Sequence, residues 1–333
     1  MYNLDFKLYV VHENVKYELS ALCEGSVTLT SARKNSPSNL TFKIMRNAVQ
    51  NGIAFGEGDF VSLIVNGKGI FKGRIFSRSR TKDQIITVTA YDQIRYLQNK
   101  KTYEYTNKKV GDVVKMIADD FKLTTGVIED TGYVISKRRE EDETLIDIIL
   151  NAIDITAINT KELYVLFDDF GELSLRNIKS MFIPLCISDD GTMIDFNYKT
   201  DIDSDTYNLI KLYRDNEETK KRDVYQAYDS ATQEMWGVLQ YYECLPEIYN
   251  DAQAKNIAEN ILRQKNRLSK TMSVECIGAG QGEEIIRGGS VLIVDVNDVG
   301  ENAVFNTYVV ESCTHTFSNN QHNIKIDISE WND

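Results

Sequence analysis

Cys313, His315 and His322 are the residues whose types and spacing come nearest to metal chemistry. Thiolate sulfur and imidazole nitrogen are common zinc donors, and all three residues fall on one face of a closing hairpin. That face is otherwise apolar and no fourth ligand lies near in sequence, so the reading is a buried thiol with two partly buried imidazoles. Asp201-x-Asp203-x-Asp205 opens like a calcium loop. Its sixth position is Thr206 where such a loop needs Gly, and its twelfth is Leu212 where it needs Glu, which leaves a solvated acidic turn. Gly278-Ala279-Gly280-Gln281-Gly282 has the glycine content of a phosphate loop. A phosphate loop needs a helix N-terminus directly after it, and Arg287-Gly288-Gly289 breaks the chain instead, so the stretch reads as a loop between strands. No G-x-S-x-G, no H-E-x-x-H and no Cys/His pair at a known catalytic spacing occurs, and His12 is the one histidine outside the hairpin. Acidic pairs abound without one standing out, which keeps a glycosidase-type hydrolase as an alternative. No catalytic, cofactor-binding or metal-binding residue is assigned, and no cofactor is expected.

Composition narrows the function classes. The chain has 333 residues, enough for two or three domains. Its net charge of −12, from 50 acidic and 38 basic residues, disfavours direct nucleic-acid binding, because phosphate contacts need clustered Lys and Arg. Cys23, Cys186, Cys244, Cys276 and Cys313 are scattered, odd in number and free of C-x-x-C spacing, which points to a reducing compartment. The first ten residues lack the basic start and apolar run of a signal peptide, and no stretch approaches the about 18 apolar residues of a membrane span. The 18 tyrosines sit at strand positions and read as core or interface.

The elements that position these residues are mostly strands. Residues 291–296, 306–317 and 322–328 form a closing meander. With Asn319-Asn320 at the hairpin tip, residue i pairs with 639 − i, so Phe317 faces His322 and Cys313 faces Ile326. One face then carries Val309, Cys313, Phe317, Ile324, Ile326 and Ile328; the other carries Ser312, Thr314, Thr316, Lys325 and Asp327. A second turn is expected over residues 297–302. The meander has an earlier echo at residues 58–91, with the same order of turns and strands and with Phe71/Ile75 spaced like Phe305/Val309. This predicts one β-domain used twice. Residues 1–95 read as a first β-domain, sandwich or barrel, with strands at 5–11, 25–31 and 40–45 before the echo. Residues 96–188 read as a small α+β domain, after a short helical exit at 92–99. It holds helices at 110–121 and from a Thr144/Asp147 cap onward, a strand at 133–136 and a hairpin at 163–176. Residues 189–333 read as the second β-domain, with strands at 192–199, 207–214 and 222–228 and a helix over 250–268 capped by Asn250 and Gln253. The fold class is mainly β with an α+β insert.

Several stretches, in order, carry a resemblance. Glu234-Met235-Trp236-Gly237-Val238-Leu239-Gln240 resembles an aromatic-Gly-x-x-Gln segment after a short helix; residues 252–268 resemble a long helix before final barrel strands; and Val310, Ser312, His315, Phe317 and His322 look like a closing V-x-S-x-x-H-x-F…H pattern. Together they resemble the baseplate hub proteins of contractile phage tails and tailocins, the late-control-D and VgrG-like group, in particular the hub type of defective prophages of Gram-positive bacteria. The Gly288-Gly289-Ser290 turn departs from that family's Pro-Gly-Asp type. The resemblance implies two β-domains of tube-protein type and a homotrimer at the tail tip. That trimer would join a central spike to the sixfold tail tube and touch the tape-measure and baseplate wedge proteins. It implies a place in a virion or bacteriocin particle assembled in the bacterial cytoplasm, with no membrane insertion. The charge leads to the expectation of an acidic lumen. A tail-tip peptidoglycan hydrolase and a carbohydrate-binding tail protein with an exposed aromatic platform are the alternatives.

Overall fold

The computed structural model describes residues 4–45, 53–216, 220–245, 250–297, 304–318 and 321–331. They form two compact units, one from residues 1–197 with 272–333, the other from residues 198–271. Asn319-Asn320 and most of the 297–302 turn lie outside the described residues.

The larger unit opens with β1 (Phe6–His12) and β2 (Val15–Glu18). Glu13 and Asn14, at φ 46° and 66°, turn between them. β3 (Val27–Ala32) and β4 (Asn39–Met45) follow. Then come β5 (Phe60–Val65), β6 (Lys68–Arg80) and β7 (Ile85–Tyr91) as an antiparallel meander. Asn66 and Gly67, both at positive φ (50° and 78°), make the β5–β6 turn, whose twist suits a hairpin. Alternation sends Leu40, Phe42 and Ile44 of β4 inward against Leu8, Val10, Val61, Leu63 and Val88. Burial of each such side chain contributes about 1.5–3 kcal/mol.

The period then changes from two to 3.6. Asp92 accepts from Ile94 N and caps a 3-10 turn, Gln93–Gln98. β8 (Lys100–Lys108), α1 (Val110–Phe121), β9 (Thr125–Ile128), β10 (Ile135–Thr144), α2 (Leu145–Thr160), β11 (Tyr164–Asp168) and β12 (Leu173–Asn177) follow. Val110, Val113, Val114 and Ile117 of α1 meet Ile148, Ile149, Ala152 and Ile153 of α2 in one core. Thr144 caps α2 by accepting from Asp147 N. β8 and β10 pair as a two-stranded ribbon, and β9 joins the β11–β12 hairpin.

β13 (Phe182–Ser188) and β14 (Met193–Asp201) lead into the smaller unit. There β15 (Leu209–Asn216), β16 (Lys221–Tyr228) and β17 (Gln240–Cys244) form a sheet in the order β16-β15-β17. The short α3 (Ser230–Trp236) precedes β17, and α4 (Asp251–Lys265) follows it. Asn250 and Gln253 form a reciprocal capping box for α4. The helix ends at Lys265, so the expected run to residue 268 is shorter by one turn, and Leu268 lies 41% exposed beyond it. Ala254, Ile257 and Ala258 cover the face of Ile210, Leu212, Tyr225 and Ala227.

The chain returns through β18 (Ser269–Ile277), β19 (Val291–Val296), β20 (Val304–Ser318) and β21 (Gln321–Glu330). Thirteen described strands make one sheet, β14-β18-β21-β20-β3-β4-β7-β6-β5-β1-β2, with β19 beside β20 and β13 beside β19. Two sets of six strands sit within it. In chain order β1, β3, β4, β5, β6, β7 and β13, β14, β18, β19, β20, β21 take the same sheet order: second, third, sixth, fifth, fourth, first. The direction of pairing differs at one end of the order, since β1–β5 is antiparallel and β13–β19 parallel. No described helix is long and apolar enough to cross a membrane. The molecule is mainly β.

Candidate functional site

β20 is where the two strand sets join. Its first half pairs with β19 up to Val309; its second half pairs with β3 from Ser312↔Ala32 to Phe317↔Val27. β21 runs along its other side. The expected register holds from Ser318↔Gln321 to Ser312↔Asp327, then slips by one at a bulge at Glu311. The slip corrects the face assignment. Val310, opposite Ile328, takes the Cys313 face, and Val309 turns to a separate cluster with Val165, Ile178 and Val291.

The bulge is clamped. Arg33 donates twice to Glu311, Nε to Oε2 at 2.8 Å and Nη2 to Oε1 at 3.0 Å, and Arg33 N donates to Glu311 O at 2.8 Å. Ser329 Oγ donates to the same carboxylate at 2.6 Å. Gly288 lies against β3; a Cβ there would stand 2.3 Å from the Ala32 carbonyl carbon. Gly289 N donates to Val310 O and Val310 N to Ser290 O, both at 2.8 Å. The first strand set repeats this. Gly58 N donates to Ile75 O at 2.8 Å, Ile75 N donates to Asp59 O at 2.9 Å, and the next residue, Phe76, is the bulge of β6. Ile75 therefore corresponds to Val310 and Ser77 to Ser312. The expected match of Phe71/Ile75 with Phe305/Val309 is one residue out, and Phe71 is 2% exposed while Phe305 is 70% exposed.

The two hairpin histidines are buried behind this joint, 1% and 2% exposed. His315 Nε2 lies 2.7 Å from Ile286 O. A carbonyl only accepts, so Nε2 carries the hydrogen and Nδ1 is an acceptor. His322 Nε2 then donates to that Nδ1 at 2.8 Å, leaving His322 Nδ1 without a hydrogen-bond partner beside Gly278. Cys313 Sγ sits 3.2 Å from His315 Nε2. His322 and Phe317 stack at 4.5 Å, and Phe317 reaches the first strand set at Phe6, 6.1 Å away. Burial lowers His315 to about 4; burial and the adjacent His315 lower His322 to about 3, so both rings are neutral. Burial pushes the Cys313 thiol far up. Among the described residues no three His, Cys, Asp or Glu side chains are grouped to hold a metal ion.

The other stretches singled out by residue type are closed on themselves. Glu283, 1% exposed, accepts from Ala279 N at 3.0 Å and Gln281 N at 2.8 Å, so the glycine loop's amides are already taken by an internal carboxyl group. Asp201 accepts from Asp203 N at 3.0 Å and from Ser204 N at 2.8 Å, with Lys199 at 2.9 Å, and Asp205 pairs with Lys265 at 2.5 Å. α3 ends at Gly237, φ 78°, and Asn208 holds the aromatic-Gly segment by donating to Gly237 O at 2.8 Å and accepting from Leu239 N at 2.9 Å.

The fold also assembles a buried polar cluster from residues far apart in sequence. Asp92, Asp168 and Glu284, all under 9% exposed, and Arg287 line a cavity of about 30 Å³ with Ser31 and Ser38. That is room for one or two waters. Burial and the Asp168 charge raise Asp92 to about 7, and burial raises Asp168. Arg287 Nη1 donates to Asp168 O at 2.9 Å and lies over Phe167 at 4.8 Å. The one signal in sequence was Asp92 ahead of a helical exit.

Known proteins share this architecture. Protein YqbQ of Bacillus subtilis (strain 168) is 31% identical over 330 residues, 98% of this chain and 97% of its own. Phage-like element PBSX protein XkdQ of the same organism is 28% identical over 331 residues, with the same coverage of 98% and 97%. The crystal structure of the tail protein from Neisseria meningitidis MC58 superposes with a TM-score of 0.75 at 12% identity, over 99% of this chain and 97% of that one. The chain thus shares its fold with that tail protein. The YQBQ-like family model matches residues 27–329, and the chain belongs to that family.

Proposed function

We propose that the chain is a structural baseplate hub of a contractile tail or tailocin. In this reading a homotrimer adapts a central spike to the sixfold tail tube and contacts the tape-measure and baseplate wedge proteins. The observation that carries it is the duplicated strand set: one chain holds the same six-strand order twice, down to the Gly58/Ile75 and Gly289/Val310 hydrogen bonds. Three chains then present six similar units to a sixfold partner. The name of XkdQ as part of a phage-like element supports a place in a tail particle.

We further divide the chain into a first β-domain at 1–95, an α+β domain, and a second β-domain to residue 333. The expected second boundary falls at 188/189; the pairing of β13 with β19 supports moving it to just before Phe182. No enzymatic step is assigned. The carbohydrate-binding alternative needs an open ring face: Tyr213, stacked on Tyr242 at 4.8 Å and under Arg222 at 4.0 Å, is already engaged, and Tyr228 and Phe305 are the exposed rings to test.

Light scattering at several concentrations tests the reading. A stable mass of three times 38.0 kDa is expected. A strict monomer that degrades purified cell walls would replace the hub with the hydrolase.

A further inference from the structure

The joint inside the chain has an unfilled counterpart. β3, outermost of the first strand set, pairs with β20 where the Glu311 bulge ends the β19 ladder. β14 corresponds to β3 in the second set, and its outer side carries no strand among the described residues. β6 corresponds to β20. Beyond its bulge at Phe76 the side left by β5 is likewise unpaired among the described residues, and Ser77, Arg78, Ser79 and Arg80 are all exposed. One chain thus holds one complete joint and both halves of another. Unpaired N–H and C=O groups at a strand edge are a template for a further strand.

We infer that residues 193–197 of β14 in one chain pair antiparallel with residues 77–80 of β6 in a second copy, reproducing between chains the β3–β20 joint. This rests on the homotrimer proposed above. Charge fits the pairing. The exposed end of β6 carries Arg80 and Arg78, the latter already ion-paired with Glu57 at 2.9 Å, while β14 and the turn before it carry Asp189, Asp190 and Asp195. Head-to-tail pairing of two different edges is the kind that closes into a ring. Three chains then alternate three internal joints with three intermolecular ones. The two kinds differ at the bulge. Glu311 holds Arg33, whereas Phe76 packs on Tyr91 and Tyr96 at 5.4 and 5.8 Å. The intermolecular joint lacks the ion pair and is the weaker of the two.

The test uses the full chain and its mass in solution. Arg80→Glu and Asp195→Lys, each alone, are expected to raise the concentration for half-assembly at least tenfold. The double variant, with the charges exchanged, is expected to recover most of that loss. As a second readout, Ser79→Cys is combined with a cysteine placed in turn at each of positions 193–197. Mild oxidation is expected to link at least one combination between chains. If the wild type is a trimer, neither single variant shifts it and no cysteine pair links, the edge pairing is wrong while the trimer stands. If the wild type stays monomeric and no pair links, both fall. Far-UV circular dichroism of each variant separates a lost interface from a lost fold.

Discussion

At the scale of single residues, the hydrogen-bond chain from Ile286 O through His315 to His322 ends on a nitrogen with no hydrogen-bond partner. Protonating either ring would place a charge in a buried site among Cys313, Phe317 and Ile286, where at His315 the Arg287 charge opposes it and Glu284 favours it, and burial outweighs both. Both folded values, about 4 and about 3, lie below the about 6.5 of an unfolded histidine, so the unfolded chain binds protons first. Stability is therefore whole above pH of about 6.5 and falls as pH drops toward about 4, by about 1.4 kcal/mol per unit for each ring. Asp92, raised to about 7, works in the opposite direction: its folded form keeps a proton that the unfolded form has lost, so its effect weakens the fold as pH rises from about 4 to about 7. Comparing wild type with His322→Phe in urea titrations at pH 7, 6 and 5 cancels that background. The variant is expected to lose about 1.4 kcal/mol per unit of slope; equal slopes would mean His322 is charged in the fold. Gly288 gives a second residue-scale outcome. Its neighbour is backbone, Ala32 C at 2.3 Å and Arg33 N at 2.4 Å from a modest methyl, so nothing flexible can yield. Gly288→Ala is expected to cost about 3 kcal/mol in the same titration. Gly25→Ala, where the backbone is left-handed at φ 76° but the space is open, is expected to cost about 1 kcal/mol.

At the scale of elements, the Glu311 bulge decides which strand lies beside β20. Glu311→Ala would leave Arg33, 15% exposed, without its carboxylate and Ser329 without its acceptor. A loss of about 1–2 kcal/mol is expected, with faster amide exchange in the β3–β20 ladder and little change in β5–β6. Equal exchange in both ladders would show that the clamp is incidental. The same bulge marks the limit of what strand alternation makes legible. Period two located the hairpin, its register from residue 312 onward and the burial of Cys313, Phe317 and Ile326, because each alternate residue there is apolar. It has no signature for one extra residue, so alternation alone puts Val309 on the wrong face and matches Phe305 with the wrong partner. β8 and all of β10 beyond the expected strand at 133–136 are hidden for another reason. Lys, Arg and Glu fill their outward positions and few side chains, such as Tyr103, Tyr105 and Ile135, turn inward, so the ribbon lacks an apolar alternation to read. The helices were legible because Thr144 and Asn250 carry cap and stripe together. The buried group of Asp92, Asp168 and Arg287 was not, since residues 76 and 119 positions apart meet only once the sheets have formed.

At the scale of the whole molecule, the duplicated order says where the chain tolerates an insertion. In the first strand set β3 passes to β4 through a loop of a few polar residues; in the second, the corresponding β14 passes to β18 through the whole of residues 202–268. The cores of the larger unit, built on Phe42 and Phe317, on Ile117 and Ile149, and on Val291 and Val309, include no residue from that span. Loop-closure entropy grows slowly with length, so an inserted unit of this size adds little cost to bringing β14 and β18 together. Replacing residues 202–268 by a short Gly/Ser linker is therefore expected to leave the larger unit folded. Its β-type circular dichroism would persist, with a cooperative thermal transition within a few degrees of the full chain. The paired edge between β14 and β6 should also survive, because both partners lie outside the span. A truncated chain that still reaches a trimer would place the ring in the duplicated strand sets. A folded but monomeric one would assign assembly to residues 202–268 and remove the β14–β6 joint as the cause of the ring.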